Sequence, residues 1–324
     1  MSIFEISHGS KKQFFVPVPG LAASLPVTVV KGFKDGPNVL ITAGIHNQEY
    51  VGIETANRLA LELAPDRIQG CVTIVHVCNL TGFFALSPDV VPEDGRNLNR
   101  VFPGGEAGSA SQRLASFIID SFMTDASCLI DLHCGGYREE LLPHVYYQGM
   151  GDKYLENASK QIAKLVDVEY MVRADSYSGS MFSFAAKLGI PGVIIERGGM
   201  AGWSENEVRA YLADIRRILQ RLNVLEYSEP QRAKPLSISR VDHYNAGADG
   251  CWYPAAAIGV TIKKGEALGS IRDFFGNELA SPIAEADCVI LYQLGSLAVR
   301  SGEFLLACGA IQLNKLNGAE NHED

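Results

Sequence analysis

Apolar positions in the first two thirds of the chain follow two patterns. Short apolar runs bounded by Gly, Pro, Asn or Asp indicate strands, and longer runs with apolar residues every three or four positions indicate helices. The short runs predict strands at residues 13–18, 26–30, 38–45, 71–78, 127–133, 144–148, 168–173 and 190–196. The longer runs predict helices at residues 50–63, 111–123, 152–165, 180–188 and 204–222. This alternation predicts an α/β fold, a mixed sheet with helices on both faces.

The pattern changes after residue 226. Helical periodicity ends there, and short β-type segments separated by glycine turns follow, such as CWYPAA at 251–256 and FLLACG at 304–309. We therefore predict two domains, an α/β domain at residues 1–228 and an all-β domain with a short disordered tail at 229–324. Two weakly similar segments of the second domain, 261–269 and 298–306, make it resemble a barrel-sandwich. Its role, as a lid or in forming a homo-oligomer, stays open.

Composition narrows the class of protein. The net charge of −9 argues against nucleic acid and anionic membrane surfaces as partners. Seven cysteines without a repeated spacing do not form a disulfide framework, which favours a reducing compartment. The N-terminal segment lacks the apolar core of a signal peptide, and no apolar run reaches the length of a membrane span. We expect a cytoplasmic protein.

Three predicted strands end in side chains that can bind a metal or transfer a proton. His46 and Glu49 follow the strand at 38–45, His133 ends the strand at 127–133, and Glu196 ends the strand at 190–196. Ligands of open α/β sheets bind outside the carboxyl ends of the strands. Two histidines and one carboxylate, with a fourth position left to water, form the ligand set of a catalytic zinc site. The pattern therefore predicts one zinc ion held by His46, Glu49 and His133.

Each of these residues also has a structural interpretation. His46 and Glu49 could belong to a capped helix start, with Asn47 as the cap. His133 could be a buried core histidine, and Cys134 beside it a buried thiol or a thiolate ligand. Asp131 could orient His133 or face a helix N-terminus.

A catalytic zinc site needs a base that takes a proton from water, and Glu196 is our candidate. Its alternative is a salt bridge with Arg197.

The segment at 79–109 is long and rich in Pro, Gly and Asp, and loops of this length are usually functional. It contains the string PEDGRNLNRVFPG at 92–104. The guanidinium of Arg100 and the amide of Asn99 suit a carboxylate on a substrate, and Arg96 offers a second cation, although a solvated turn is the alternative for Arg96.

Taken in order, HxxE at 46–49, DGRNLNRVFPG at 94–104, DLH at 131–133 and the strand-end Glu196 resemble the succinylglutamate desuccinylase/aspartoacylase family, which belongs with the zinc carboxypeptidase A-like folds. The resemblance covers about residues 35–225, and the β domain fits the family's layout. It implies one zinc ion on the three predicted ligands, with Glu196 as general base and later general acid.

The resemblance also implies a role for arginines. Asn99 and Arg100 would bind the substrate carboxylate, and Arg96 is the nearest candidate for steadying the oxyanion. Arg173 and Arg197 are the options for binding an acyl group.

Motifs and resemblance together predict a zinc-dependent hydrolase that cleaves the amide bond of a small N-acyl amino acid or related amine. A metallocarboxypeptidase that acts on peptides and a binding protein with an inherited, inactive site remain the alternatives.

Overall fold

The chain folds into two compact units, seen here in a computed structural model that describes residues 6–226, 230–231 and 234–311. The first unit contains Met1–Tyr137 and Pro143–Leu236, and the second contains Arg138–Leu142 and Ser237–Asp324. The predicted boundary after residue 228 stays a prediction, because residues 227–229 lie outside the described ones. The predicted tail also lies outside them. That residues 138–142 join the second unit was not predicted.

The secondary structure up to residue 238 follows the alternation seen in the sequence. The strands are β1 (Ser10–Pro17), β2 (Ser24–Lys31), β3 (Asn38–Ala43), β4 (Cys71–Val75), β5 (Cys128–His133), β6 (Glu139–Leu141), β7 (His144–Gln148), β8 (Tyr170–Ala174), β9 (Gly192–Glu196) and β10 (Leu236–Ile238). The helices are α1 (Tyr50–Glu62), α2 (Leu80–Ala85), α3 (Ala110–Ile118), α4 (Lys153–Ala163), α5 (Met181–Lys187) and α6 (Glu205–Arg221). Short helical turns lie at Pro65–Arg67, Leu98–Arg100 and Ile119–Met123.

A nine-stranded mixed sheet has the order β1-β2-β4-β3-β5-β9-β7-β8-β10, and its strands β1 to β9 belong to the first unit except β6, which is not part of this sheet. Its centre is parallel: β3 pairs with β5, and β5 pairs with β9. The register sets Ala43 opposite Leu132, and His133 opposite Glu196. The three strands whose ends carry the predicted functional residues are therefore neighbours that end at one edge of the sheet.

Helices cover both faces of this sheet, as predicted. Alternation along β3 directs Val39 and Ile41 into a core formed with α1, α4 and α6, and Leu40 into a second core formed with α3 and α5. Burial of such a side chain contributes about 1.5–3 kcal/mol. The central strands are thus packed between helices on both faces, and the loops that follow them begin at well-packed positions.

Three helices begin at side-chain caps close to the predicted starts. The side chains of Asp152, Ser180 and Ser204 accept hydrogen bonds from backbone N–H groups three residues later, at the starts of α4, α5 and α6. Such caps satisfy N–H groups that have no partner within the helix. The cap at Ser180 matters for the site, because it fixes the first turn of α5.

The second unit is built from strands, as predicted for the C-terminal region. Its further strands are β11 (Val241–Asn245), β12 (Gly250–Pro254), β13 (Thr261–Ile262), β14 (Gly269–Arg272), β15 (Glu278–Ala280), β16 (Cys288–Leu294), β17 (Ala298–Val299) and β18 (Phe304–Ala310). One sheet has the order β11-β18-β16-β13 with β6 beside β16, and the other has the order β15-β14-β12-β17. Trp252 and Ile271 of one sheet share a core with Ile290 and Leu305 of the other.

Nothing in the helices argues for a membrane span: among the described residues, no helix combines the length and apolar character needed to cross a bilayer.

Candidate metal centre

The chain turns sharply between β3 and His46. Gly44 has a φ of +62°, and a Cβ there would lie 2.9 Å from a methyl carbon of Val77, so the turn requires glycine. The N–H of Asn79 donates to the carbonyl of Gly44 (2.9 Å), which ties the turn to the chain beyond β4. These constraints direct His46 over the edge where β3 ends.

The two histidines converge on Glu49. Nδ1 of His46 lies 2.7 Å from Oε1 of Glu49, and Nδ1 of His133 lies 3.0 Å from Oε2. The imidazole rings are nearly perpendicular, with their centroids 5.1 Å apart. One ligand atom from each of the three residues falls within 4.8 Å of the others. Two imidazole nitrogens and one carboxylate oxygen form a donor set that suits zinc.

The charges in this cluster shift the pKa values of its members in opposite directions. Burial disfavours the ionised form of Glu49, but the charges of His133 and His46 outweigh it and lower the pKa of Glu49 to about 2. Burial likewise disfavours protonation of His133, yet Glu49 and Asp131 raise its pKa well above the ordinary value. A buried ionised carboxylate between two imidazoles fits a divalent cation, which takes the deprotonated form of each ligand.

Asp131 orients His133. Its Oδ2 lies 3.0 Å from Nε2 of His133, and its Oδ1 accepts a hydrogen bond from the hydroxyl of Thr42 (2.7 Å). Asp131 and Thr42 are fully buried. A carboxylate on Nε2 fixes the ring so that Nδ1 points to Glu49. Of the two roles considered for Asp131, the structure shows contact with His133.

The helix-cap interpretation of the HxxE motif is not what the structure shows. Glu49 directly precedes α1, but its side chain makes no capping hydrogen bond. The Asn47 amide instead donates to the carbonyl of Ser87 (2.6 Å) and accepts from Asn79 (3.1 Å). Cys134 is a buried thiol whose Sγ donates to the carbonyl of Gly135, and burial raises its pKa. A thiolate ligand at Cys134 is therefore disfavoured.

Glu196 lies directly across from His133 at the ends of β9 and β5. It is only 7% exposed. Tyr211 of α6 packs beside this pair, and its hydroxyl lies within hydrogen-bond distance of the carbonyl oxygens of both His133 and Ile195, the latter at 2.6 Å. The predicted base is thus buried beside a predicted ligand, on a strand end that α6 holds in place.

The loop that carries the DGRN motif is anchored to two helices. Both Asp94 oxygens accept hydrogen bonds, Oδ2 from the backbone and hydroxyl of Ser111 (2.8 and 2.6 Å) and Oδ1 from the N–H of Arg96 (3.1 Å). Oδ1 of Asn99 accepts from the N–H of Met181 at the start of α5 (2.9 Å). Asn99 is buried, and its amide nitrogen makes no hydrogen bond to a described residue.

The two arginines of this loop differ in their surroundings. Arg100 is exposed and donates to the carbonyl of Asn99 (2.8 Å). Burial raises the pKa of Asp89, and the charge of Arg100, like those of His46 and His133, partly offsets that rise. Arg96 is also exposed, and within the described part of the chain its guanidinium has no hydrogen bond or ion pair.

Both arginines considered for binding an acyl group already have carboxylate partners. Arg197 is buried and binds Asp214 through Nε (2.8 Å) and Nη2 (2.6 Å). Arg173 binds Glu156 (2.8 Å) and also Asp175. Neither is left with the open fork that a second carboxylate on a substrate would need.

Asp89 is the residue near the cluster that sequence reasoning missed. It lies in the loop before the DGRN motif with a left-handed φ of 50°. In sequence it is one of several polar residues in a Ser-Pro-Asp turn, and no spacing relates it to the HxxE or DLH motifs. Only the folded loop brings it near His46.

Comparison with known proteins finds relatives in sequence and in fold. The chain is 32% identical over 151 residues to the N-alpha-acetyl-L-2,4-diaminobutyric acid deacetylase of Halomonas elongata. That alignment covers 47% of this chain and 44% of the relative, so the chain spans less than half the length of the curated relative it matches.

Solved structures extend the likeness to nearly the whole chain. The product-bound ectoine utilization protein EutE (DoeB) from Ruegeria pomeroyi has a TM-score of 0.87 at 21% identity, covering 96% of this chain and 98% of that one. A succinylglutamate desuccinylase/aspartoacylase from Rhodobacter sphaeroides has a TM-score of 0.85 at 23% identity, covering 95% and 99%. At these identities the likeness establishes the fold.

The family model of the succinylglutamate desuccinylase/aspartoacylase catalytic domain matches residues 35–222, which include every candidate site residue described above. The chain therefore belongs to the succinylglutamate desuccinylase/aspartoacylase family.

Proposed function

We propose that this protein is a zinc-dependent hydrolase that removes a small acyl group from an N-acyl amino acid or a related N-acyl amine. The observation that carries the proposal is the convergence of His46, Glu49 and His133 at the edge where β9 delivers Glu196. Membership in a family of deacylases supports it, as does the relative named for deacetylating an N-acetyl diamino acid.

In this proposal one zinc ion is held by His46, Glu49 and His133. Bound there, zinc supplies a Lewis acid for the amide carbonyl and a water of lowered pKa. Glu196 takes the proton of the attacking water and later delivers it to the nitrogen of the departing amine. Its burial beside His133 supports this role, since a base must be within reach of the water and shielded from bulk solvent.

Asn99 and Arg100 would bind the carboxylate of the amino acid. The amide nitrogen of Asn99, which has no partner in the described part of the chain, and the guanidinium of Arg100 are both donors, and the hydrogen bond from Met181 to Asn99 fixes the amide's direction. A bound carboxylate fixes the distance between the scissile amide and Glu196. We assign Arg96 to the same loop as a second cation for the substrate or its oxyanion.

The proposal is tested by metal content and by a panel of substrates. The full chain is loaded with zinc, the bound metal is quantified, and hydrolysis is measured on N-acetyl and N-succinyl amino acids, N-acetyl diamino acids and unblocked peptides. We expect one zinc per chain and hydrolysis of N-acyl amino acids. Cleavage of peptides alone would instead identify a carboxypeptidase, and absence of turnover with zinc bound would identify a binding protein.

The variant Glu196→Gln tests the base. It retains the size and polarity of the side chain, so we expect it to keep zinc while kcat falls by about 10²–10⁴-fold. Glu278→Gln, at an exposed strand position of the second unit, is the control and should retain full activity. Near-normal turnover by Glu196→Gln would rule out this mechanism.

A further inference from the structure

His144 is a buried histidine of the first unit that the mechanism above does not use. It is the first residue of β7 and is fully buried. In the sequence it belongs to none of the motifs that identify the site. A buried imidazole needs hydrogen-bond partners for its ring nitrogens, because a buried polar group without a partner costs about 1–3 kcal/mol. The neighbours of His144 in the sheet therefore decide what its ring can do.

The register of the sheet sets His144 directly opposite Glu196. Strand β7 runs antiparallel to β9, and the pair of Val145 with Ile195 follows the pair of His144 with Glu196. Residues directly opposite each other in antiparallel strands have Cβ atoms about 4.5–5.5 Å apart. An imidazole and a Glu side chain both extend far enough to meet across this distance.

His144 and Glu196 leave the sheet on the same face as His133. Val145 and Leu132 point into the core formed with α1, α4 and α6. Because successive residues of a strand alternate between faces, His144 and His133 point to the other face. Glu196 lies opposite both of them and shares that face. His133, Glu196 and His144 therefore form a row across β5, β9 and β7.

The other imidazole of this row is already committed. Nδ1 of His133 lies 3.0 Å from Oε2 of Glu49, and its Nε2 lies 3.0 Å from Oδ2 of Asp131. Neither ring nitrogen of His133 is left to donate to Glu196. Within the row, His144 is therefore the histidine that can donate a hydrogen bond to the Glu196 carboxylate.

Packing holds the ring of His144 in place. The ring lies edge-on against Tyr146, with centroids 5.0 Å apart and an angle of 68° between the planes. A donor held in this way has little freedom to lose when it binds a carboxylate. Proton transfer by a base depends on its orientation, so a fixed donor beside Glu196 bears directly on the proposed reaction.

We propose that His144 is a positioning residue for Glu196. One ring nitrogen donates to an oxygen of the carboxylate and directs the other oxygen to the attacking water. Both the neutral and the protonated imidazole carry an N–H, so the role does not depend on the charge of His144. The hydrogen bond also favours the ionised carboxylate, which is the form that accepts a proton. This inference rests on the proposed function and adds a residue to its machinery.

The variants His144→Leu and His144→Gln separate a donor from a side chain that only fills space. They are compared on the zinc-loaded full chain with the N-acyl amino acid that the wild type hydrolyses fastest. We expect kcat of His144→Leu to fall by about 10- to 100-fold, the range of a hydrogen bond to a charged group, while KM changes by less than about threefold. His144→Gln, which restores an N–H donor, should recover most of the lost kcat. Equal falls in both variants would overturn the inference.

Metal content and stability distinguish positioning from a structural role. Both variants should bind one zinc per chain, and the loss of kcat should remain after correction for folded, zinc-loaded protein. A fall in kcat that only follows the loss of zinc or of folded protein would overturn the inference. His8→Leu is the control, because His8 is exposed and faces Asp35 at the surface, and it should retain full kcat.

A double variant tests whether His144 acts through Glu196. Once Glu196→Gln has removed the carboxylate, adding His144→Leu should lower the residual kcat by less than about threefold. A further fall as large as that in the single variant would show that His144 acts elsewhere, and would overturn the inference.

Nuclear magnetic resonance separates this inference from the proposed function. The imidazole N–H resonance of His144, identified by its loss in His144→Gln, should move upfield in Glu196→Gln, because an amide oxygen is a weaker acceptor than a carboxylate. An unchanged resonance overturns the inference whether or not a substrate is hydrolysed. A shifted resonance without turnover of any probe refutes the proposed hydrolase and still supports the contact between His144 and Glu196.

Discussion

The first unit contains two buried clusters of charge that serve different ends. In one, Asp214 accepts hydrogen bonds from Arg197 (2.8 Å), from Arg217 and from the N–H of Asp167 (2.8 Å). Arg197 also donates to the backbone carbonyl of Asp167 (2.9 Å), and Arg217 donates to that of Leu165 (2.8 Å). Both guanidinium groups contact the one carboxylate and also donate to carbonyls, so the carboxylate oxygens and the cations of this cluster have partners within the chain.

The second cluster, formed by His46, Glu49 and His133 at the strand ends, differs because most of its polar atoms can accept a hydrogen bond or bind a cation. Glu49 lies between two histidines whose Nδ1 atoms both face it, and Nε2 of His46 is buried without a hydrogen-bond partner in the described structure. Asp89 adds a carboxylate oxygen in the same situation. Burial alone does not distinguish the clusters. The clusters differ in whether their acceptor atoms have hydrogen-bond donors as partners. The cluster at the strand ends has more acceptors than donors, and this excess predicts that a cation binds there.

Replacing a proposed ligand should have the largest effect. In Glu49→Gln the carboxylate between the histidines becomes a neutral amide, so we expect loss of bound zinc and a fall in kcat/KM of at least about 10³-fold. Metal analysis after gel filtration, together with turnover, measures both. The same variant should unfold at a urea concentration close to that of the metal-free wild type. If zinc stayed bound at full stoichiometry, Glu49 would not be a ligand.

Disrupting the cluster of Asp214, Arg197 and Arg217 should lower the stability of the protein and leave its catalytic activity unchanged. Asp214→Ala leaves two buried guanidinium groups without their carboxylate, and we expect the free energy of unfolding to drop by about 3–5 kcal/mol. Urea denaturation followed by circular dichroism measures the drop, and folded protein should retain its zinc and its kcat. Glu62→Gln, which breaks a partly exposed pair with Arg216, is the control and should cost about 0–1 kcal/mol. If folded Asp214→Ala lost its zinc, the Asp214 cluster would also be needed for metal binding, contrary to this prediction.

Asp131→Asn should have an intermediate effect on the metal. The neutral amide is a weaker partner for Nε2 of His133, so we expect zinc affinity to fall by about 10- to 100-fold. A competition titration against a chelator of known affinity measures this change. Thr42→Val, which removes the hydroxyl bonded to the far oxygen of Asp131, should produce a smaller change in the same direction. Unchanged affinity in both variants would reduce Asp131 to a structural role.

The position of a candidate site residue can be predicted from the sequence where that residue lies at the end of a strand. His133 and Glu196 each end a short apolar run, and parallel neighbours must end at the same edge. The separation of His46 and Glu49 by three residues is equally local. Once β3, β5 and β9 are adjacent, these four residues have little freedom to lie apart.

Contacts that depend on tertiary packing were not predictable in this way. Arg197 follows Glu196 in sequence, yet it turns to Asp214 on α6 because a buried guanidinium takes the carboxylate within its reach. Asp89 reaches the site only because three amide side chains pin its loop. No periodicity in the sequence records such long-range hydrogen bonds.

The smallest expected effect concerns His76, a histidine outside both clusters. His76 is partly buried, and its ring nitrogens contact the neutral oxygens of Thr28 and Asn57 (2.8 Å each). Burial lowers its pKa to about 4, whereas the carboxylates around His133 raise that of His133.

Because the folded-state pKa of His76 lies below the unfolded value of about 6.5, the unfolded chain binds this proton first as pH falls. Stability is therefore lost from about pH 6.5 downward, and His76 should account for about 1 kcal/mol between pH 7 and pH 5.5. Urea denaturation of the wild type and His76→Gln across this range measures the difference between their slopes. Parallel slopes would show that His76 is protonated as readily in the folded state as in the unfolded one, and that buried histidines here do not need carboxylate partners to carry charge.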